Sequence, residues 1–219
     1  QRTAILAVFA PPSVMKHPFP CVYIAGKGCI FVAIKVFIDQ GHNPEGINAG
    51  AEGFGYREQD INYAVGTRLA ELLRQDGRFE VRTSRNSPTD SLGTSNSTSL
   101  AARVNAANGW GADYFISIHA NASTNPAANG TEVYVYREPS TAAELAEDVL
   151  EGIVARMGTK NNGVRVNPAL YVLRRTQMPA ILVELGYITN AEDVQKMTED
   201  PWGFAQGIYN GMLDYFDLT

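Results

Sequence analysis

The chain has 219 residues, 45% of them hydrophobic and 19% charged, the balance of a soluble globular protein long enough to bury one domain's core. A formal net charge of −5 and a pI near 5.2 exclude a nucleic-acid footprint, which needs clustered Lys and Arg. There is no run of about 18 apolar residues, so no membrane-spanning helix is expected.

The front of the chain reads differently from the rest. "QRTAILAVFAPPSVMKHPFP" is rich in proline, has no steady period and resembles neither a signal peptide nor a helix. "CVYIAGKGCIFVAI" (21–34) predicts a hairpin around Gly26-Lys27-Gly28 that brings Cys21 and Cys29 near one another. A bridge and two free buried thiols both remain open there, and two cysteines are too few for a disulfide scaffold or a cysteine zinc site. Residues 1–34 therefore read as an N-terminal extension without an assigned role, and 35–219 as a single domain.

From Lys35 onward strands and helices alternate. "KVFID" (35–39) is a short apolar strand that ends in the polar turn Gln40-Gly41-His42. The helix that follows carries Ile61, Val65, Leu69 and Leu72 on one face and stops at Gly77. "FEVRTSR" (79–85) alternates as a strand, and a polar loop leads to the helix "SLAARVNAANGW", with Thr98 or Ser99 as its cap. "DYFISIHA" (113–120) is a nearly continuous apolar run, as a central strand buried on both faces should be. "TEVYVY" (131–136) is a strand, 140–158 a helix, "ALYVLR" and "AILVEL" short strands, and 200–216 a closing helix. Such alternation predicts an α/β layer structure with a largely parallel sheet.

Ligands bind beyond the carboxyl ends of strands in sheets of this kind. His42 lies just past one strand, His119 ends "DYFISIH" and Glu184 ends "AILVE", which places two of the three histidines at one sheet edge. A histidine at a strand end is more often a surface residue than a ligand, so the weight lies in the coincidence. Two histidines and a glutamate with an open position form a catalytic zinc pattern. Of the carboxylates near His42 (Glu45, Glu52, Glu58 and Asp60), only Glu58 extends the buried stripe of its helix, whereas Asp60 points away. The plain alternative for Glu58 is a carboxylate favoured by the helix dipole.

Burial of Glu184 in "PAILVELGY" disfavours its charged form unless a cation is near, a setting suited to general base and acid work. Asp39 could orient His42 by a hydrogen bond to its ring, although capping the turn is the commoner role. Asn121 and Asn190 are candidates to line a cleft. The glycine-rich "GINAGAEGFGYR" (46–57) lacks the Lys-Ser/Thr pair of a phosphate loop and reads as a flexible wall, and His17 reads as exposed and unrelated.

"FIDQGH", "REQDINYAV", "SLAARVNAAN", "ADYFISIHAN" and "PAILVELGYITN" occur in the order and approximate spacing of a known family. From residue 35 to 216 the chain resembles zinc-dependent N-acetylmuramoyl-L-alanine amidases of the Amidase_3 type. That resemblance implies a twisted, mostly parallel six-stranded sheet flanked by helices on both faces. It also implies one Zn2+ per chain held by His42, Glu58 and His119, with Glu184 as the catalytic glutamate. The implied substrate is peptidoglycan, cut at the amide between the lactyl group of N-acetylmuramic acid and L-alanine, by a monomer working outside the cytoplasm, at the bacterial cell envelope or secreted. His119 and Glu184 are 65 positions apart, a span that ordinary elements fill, so the inserted regulatory helix of some family members is not expected. The same ligand set would serve a zinc carboxypeptidase of cell-wall peptides, and a wall-binding module that has lost activity is the non-enzyme alternative.

Overall fold

The structure is a computed structural model that describes residues 21–24 and 28–219, with side chains from Val32 onward. The predicted hairpin is formed by β1 (Cys21–Ile24) and β2 (Gly28–Phe31), paired antiparallel with Cys21 opposite Phe31 and Tyr23 opposite Cys29. The cysteine side chains and His17 lie outside the described residues.

Six strands make the central sheet: β3 (Ile34–Gln40), β6 (Phe79–Thr83), β7 (Tyr114–Asn121), β8 (Thr131–Val135), β9 (Asn161–Val166) and β10 (Ala180–Tyr187). Their order is β6-β3-β7-β10-β8-β9. The first four are parallel, β8 runs antiparallel to β10, and β9 is parallel to β8. The mostly parallel six-stranded sheet is therefore as expected.

Helices cover both faces. On one side α1 (Glu58–Asp76), α3 (Thr141–Met157) and α6 (Pro201–Tyr215) close over Ile38, Ile116, Ile118, Val183 and Leu185. On the other, α2 (Asn96–Trp110) and the short α4 (Tyr171–Arg175) cover Phe37, Phe115 and Leu182. Period-two alternation sorts each strand between these layers. On β7, Ile116 and Ile118 face α1 and α6, so Ser117 and His119 share the α2 face with Phe115. On β10 the same count puts Glu184 on the face of Leu182.

From β3 the chain crosses outward to β6 by way of α1, then returns past β3 to β7 by way of α2. The connections diverge between β3 and β7, and this switch point is where open α/β sheets leave a crevice.

Several local expectations differ. "ALYVLR" is the helix α4, not a strand: its Val172 and Leu173 both pack against the second core, and a five-residue apolar run carries too few repeats to declare its period. The polar edge strand β9 and the helix α5 (Ala191–Glu199) lie in stretches without a strand or helix expectation. The cap of α2 is Ser95, which shares a reciprocal capping box with Thr98, rather than Thr98 or Ser99. Within α1 the buried stripe passes through Leu73, with Leu72 only partly buried.

Candidate metal centre

Each histidine reaches the crevice for a local reason. His119 sits on β7 at a register position paired with Glu184 of β10. His42 follows β3 in a left-handed backbone conformation, φ 68°, which is uncommon outside glycine and worth an explanation. Its Nδ1 lies 3.1 Å from the carbonyl oxygen of Asn48. Donating there orients the ring so that Nε2, the nitrogen that the neutral ring would offer to an ion, is turned toward Glu58 Oε1.

Glu58 is the first residue of α1. One oxygen, Oε2, accepts from the backbone N–H of Ala51 at 2.9 Å. The other, Oε1, stands 3.0 Å from His42 Nε2 and 2.9 Å from His119 Nδ1, and it also takes the N–H of Ala120 at 3.2 Å. Burial works against the Glu58 anion, but hydrogen bonds and charge from His119 and His42 outweigh it and hold the carboxyl well below the usual carboxylate range. The two imidazoles meet edge to face, ring centroids 4.8 Å apart.

His42, Glu58 and His119 thus present ligand atoms within 4.8 Å of one another, a group able to hold a metal ion. Two glycines make room for its side chains. A Cβ at Gly41 would overlap Cε1 and Nε2 of His119, and one at Gly50 would stand 2.7 Å from Glu58 Oε2. The histidine side chains stay 20% and 18% exposed while Glu58 is 6% exposed, so the cluster has a closed back and an open front. In front lies a cavity of about 290 Å³ lined by both histidines with Leu100, Leu170, Tyr171 and Leu182.

Glu184 borders the cluster on the β10 side. Its Oε2 is buried without a hydrogen-bond partner. Burial first, then the negative charges of Glu58 and Glu132, raises its carboxyl well above the usual range. Glu132 was not anticipated from the sequence. It pairs with Glu184 across β8 and β10 and is 2% exposed. Arg165 Nε at 2.7 Å, Asn121 Nδ2 at 2.7 Å and the Tyr134 hydroxyl at 2.9 Å donate to its carboxylate.

The remaining candidates separate. Asn121 lies beside Glu132, as that hydrogen bond records. Asn190 does not line the crevice: it is the N-cap of α5, its Oδ1 accepting from Glu192 and Asp193 and its Nδ2 donating to Pro126. Asp39 is not a partner of the His42 ring, whose nitrogens meet Asn48 and Glu58. It is paired instead with Arg103, Nη1 to Oδ1 at 2.6 Å, and accepts from the Ser117 hydroxyl at 2.8 Å. The predicted glycine-rich wall contains a small hairpin of β4 (Glu52–Gly53) and β5 (Tyr56–Arg57).

Fold and cluster together define an α/β protein with a candidate metal centre of the His, Glu, His type at its switch point. The chain belongs to the Amidase_3 family, described as N-acetylmuramoyl-L-alanine amidase, whose model matches residues 36–214. It is 35% identical to the N-acetylmuramoyl-L-alanine amidase LytC of Bacillus subtilis over 191 residues, covering 84% of this chain and 36% of LytC. This chain thus spans about a third of that relative's length. Among solved structures, an N-acetylmuramoyl-L-alanine amidase from Clostridium difficile 630 superimposes with a TM-score of 0.76 at 34% identity, covering 84% of this chain and 97% of that one. AmiC2 of Nostoc punctiforme gives 0.73 at 36% identity, covering 84% and 97%.

Proposed function

We propose that this protein is a zinc amidase that hydrolyses the bond between N-acetylmuramic acid and L-alanine in peptidoglycan. The observation that carries the reading is the convergence of His42 Nε2, His119 Nδ1 and Glu58 Oε1 at an open crevice, in a chain that belongs to the amidase family. Two nitrogens and one carboxylate oxygen, with a fourth position left to solvent or substrate, suit catalytic zinc. When bound, zinc supplies Lewis acidity toward the scissile carbonyl and lowers the pKa of water to about 7.

The chain's own residues then divide the work. His42, Glu58 and His119 hold the ion. Asn48 keeps the His42 ring in the ligating tautomer through its carbonyl oxygen. Glu184, beside His119 in register and with its Oε2 buried and unpartnered, accepts a proton from the attacking water. Water oxygen adds to the lactyl carbonyl carbon, the C–N bond breaks, and Glu184 returns that proton to the departing nitrogen of L-alanine. A buried carboxyl whose pKa is raised from its ordinary value suits both halves of that exchange. The substrate's location places the enzyme outside the cytoplasm at the cell envelope, and no helix among the described residues is long and apolar enough to cross a membrane.

Digestion of purified peptidoglycan, read by mass spectrometry, tests the reading. Free N-terminal L-alanine on intact stem peptides is the expected product. Release of D-alanine instead identifies a carboxypeptidase, and no release leaves a binding module.

A further inference from the structure

Arg103 is a fully buried cation with polar partners on the turn that carries His42. It stands on the inner stripe of α2 with Ser99 and Ala107 and is 1% exposed. Its guanidinium is spread across the turn that carries His42. Nη1 donates to the carbonyl oxygen of Gln40 at 2.7 Å, and Nη2 to that of His42 at 2.6 Å and to Asn43 Oδ1 at 3.2 Å. On the sheet side Nη1 meets Asp39 Oδ1 at 2.6 Å and Ser84 Oγ at 3.3 Å. One planar fork therefore reaches residues on both sides of Gly41.

Such a pair is weak ground for a role in stability alone, because packed apolar residues can replace a buried ion pair at no cost. What the fork does beyond that is local. His42 holds a left-handed backbone, φ 68°, a conformation that persists only where surrounding contacts over-determine it. Those contacts are Arg103 at its carbonyl oxygen and Asn48 at its Nδ1. Asn43 adds support, its Oδ1 accepting from Leu92 and its Nδ2 donating to Ile47 and Leu92.

We propose that Arg103 is a positioning residue for the metal centre: anchored by Asp39, it locks the turn at Gln40, His42 and Asn43 so that His42 Nε2 faces Glu58 before an ion arrives. This inference rests on the reading that His42, Glu58 and His119 hold zinc. Groups one bond removed from the ligands typically change metal affinity by about 10–100-fold when altered.

The test measures zinc affinity of the full chain by competition with a chromophoric chelator, beside circular dichroism and thermal unfolding in excess chelator. Arg103→Met should bind zinc about 10–100-fold more weakly while keeping the far-ultraviolet spectrum, and Arg103→Lys should fall between it and the parent. In a His42→Ala background, where no ligand remains on the turn, Arg103→Met should change the residual affinity by less than about twofold. A folded Arg103→Met protein with parental zinc affinity overturns the proposal, and so does an undiminished loss in the His42→Ala background. If Arg103→Met does not fold, Arg103→Lys, which keeps a cation beside Asp39, is judged by the same outcomes. A parent that binds no zinc overturns the metal reading and this proposal with it, whereas a zinc-binding parent with an indifferent Arg103 overturns the positioning role alone.

Discussion

Glu184 and His119 stand side by side in parallel register on β10 and β7, one offering a buried, unpartnered oxygen and the other a ring nitrogen 2.9 Å from Glu58. On the proposed reading the two glutamates do different work: Glu58, between two histidines, binds the ion and Glu184 moves protons. Glu184→Gln is nearly isosteric and cannot take a proton from water. Its zinc content should match the parent's while muropeptide release falls by about 10²–10⁴-fold. Loss of zinc in that variant would make Glu184 a ligand, and a parental rate would put the base elsewhere.

Gly41→Ala probes the closeness of turn and ring. The added methyl group would overlap the His119 imidazole and stand 2.7 Å from the carbonyl oxygen of Ile118. Overpacking of this kind costs about 1–3 kcal/mol, and here the strain falls on His119, a proposed ligand. Zinc affinity should drop by about tenfold or more, with the helical signal in circular dichroism retained. Parental affinity would show that the His119 ring can move aside freely.

Asp39 yields a pH prediction. Burial raises its carboxyl, but the charge and hydrogen bond of Arg103, then His119 and Ser117, leave it below its ordinary value of 3.8. A folded-state pKa below the unfolded one means stability that is fully present above the unfolded value and lost as pH falls through the folded one. At neutral pH, Asp39→Asn should cost about 3–5 kcal/mol, since it leaves Arg103 buried without its counter-charge. The gap between variant and parent should narrow as pH is lowered from about 6 to about 3. Urea midpoints at a series of pH values measure it, and a gap independent of pH would remove the ionised pair from the account.

The sheet begins at Ile34, and every candidate ligand or base lies after it. A chain shortened to start at Val32 should keep its zinc affinity and its hydrolytic rate within about twofold of the full chain, since none of the contacts described for the centre is lost. Zinc titration and muropeptide release on both chains check this. A shortened chain that folds but does not cut would give the front segment a part in shaping the cleft.

Much of the scaffold was legible because it depends on local pattern. Val36 to Ile38, Phe115 to Ile118 and Ile181 to Val183 are buried on both faces and read as apolar runs broken only by Ser117, and Gly77 closes α1 in the left-handed conformation that glycine favours. His42, His119 and Glu184 were legible because strand ends in such a sheet share an edge. What was not legible depends on partners distant in the chain. Arg103 meets Asp39 64 positions away, and the one hint was a charge on the inner stripe between Ser99 and Ala107. Glu132 looks like the solvent side of an alternating strand, yet in the sheet interior both faces are covered. Asn190 carries a readable signal of its own: an asparagine followed by Glu192 and Asp193 is a helix start. β9, with an exposed polar sequence at the sheet edge, offers little apolar pattern to read.

The proposed function makes amide cleavage depend on an ion held by His42, Glu58 and His119. Its most direct test strips the protein of metal, adds zinc back in steps, and follows the release of stem peptides with free N-terminal L-alanine at each step. The stripped protein should release none, and release should rise to saturation at about one zinc per chain, with His42→Ala and His119→Ala restoring little at that loading. Full release from the metal-free protein, or full activity at one zinc in either histidine variant, would contradict it.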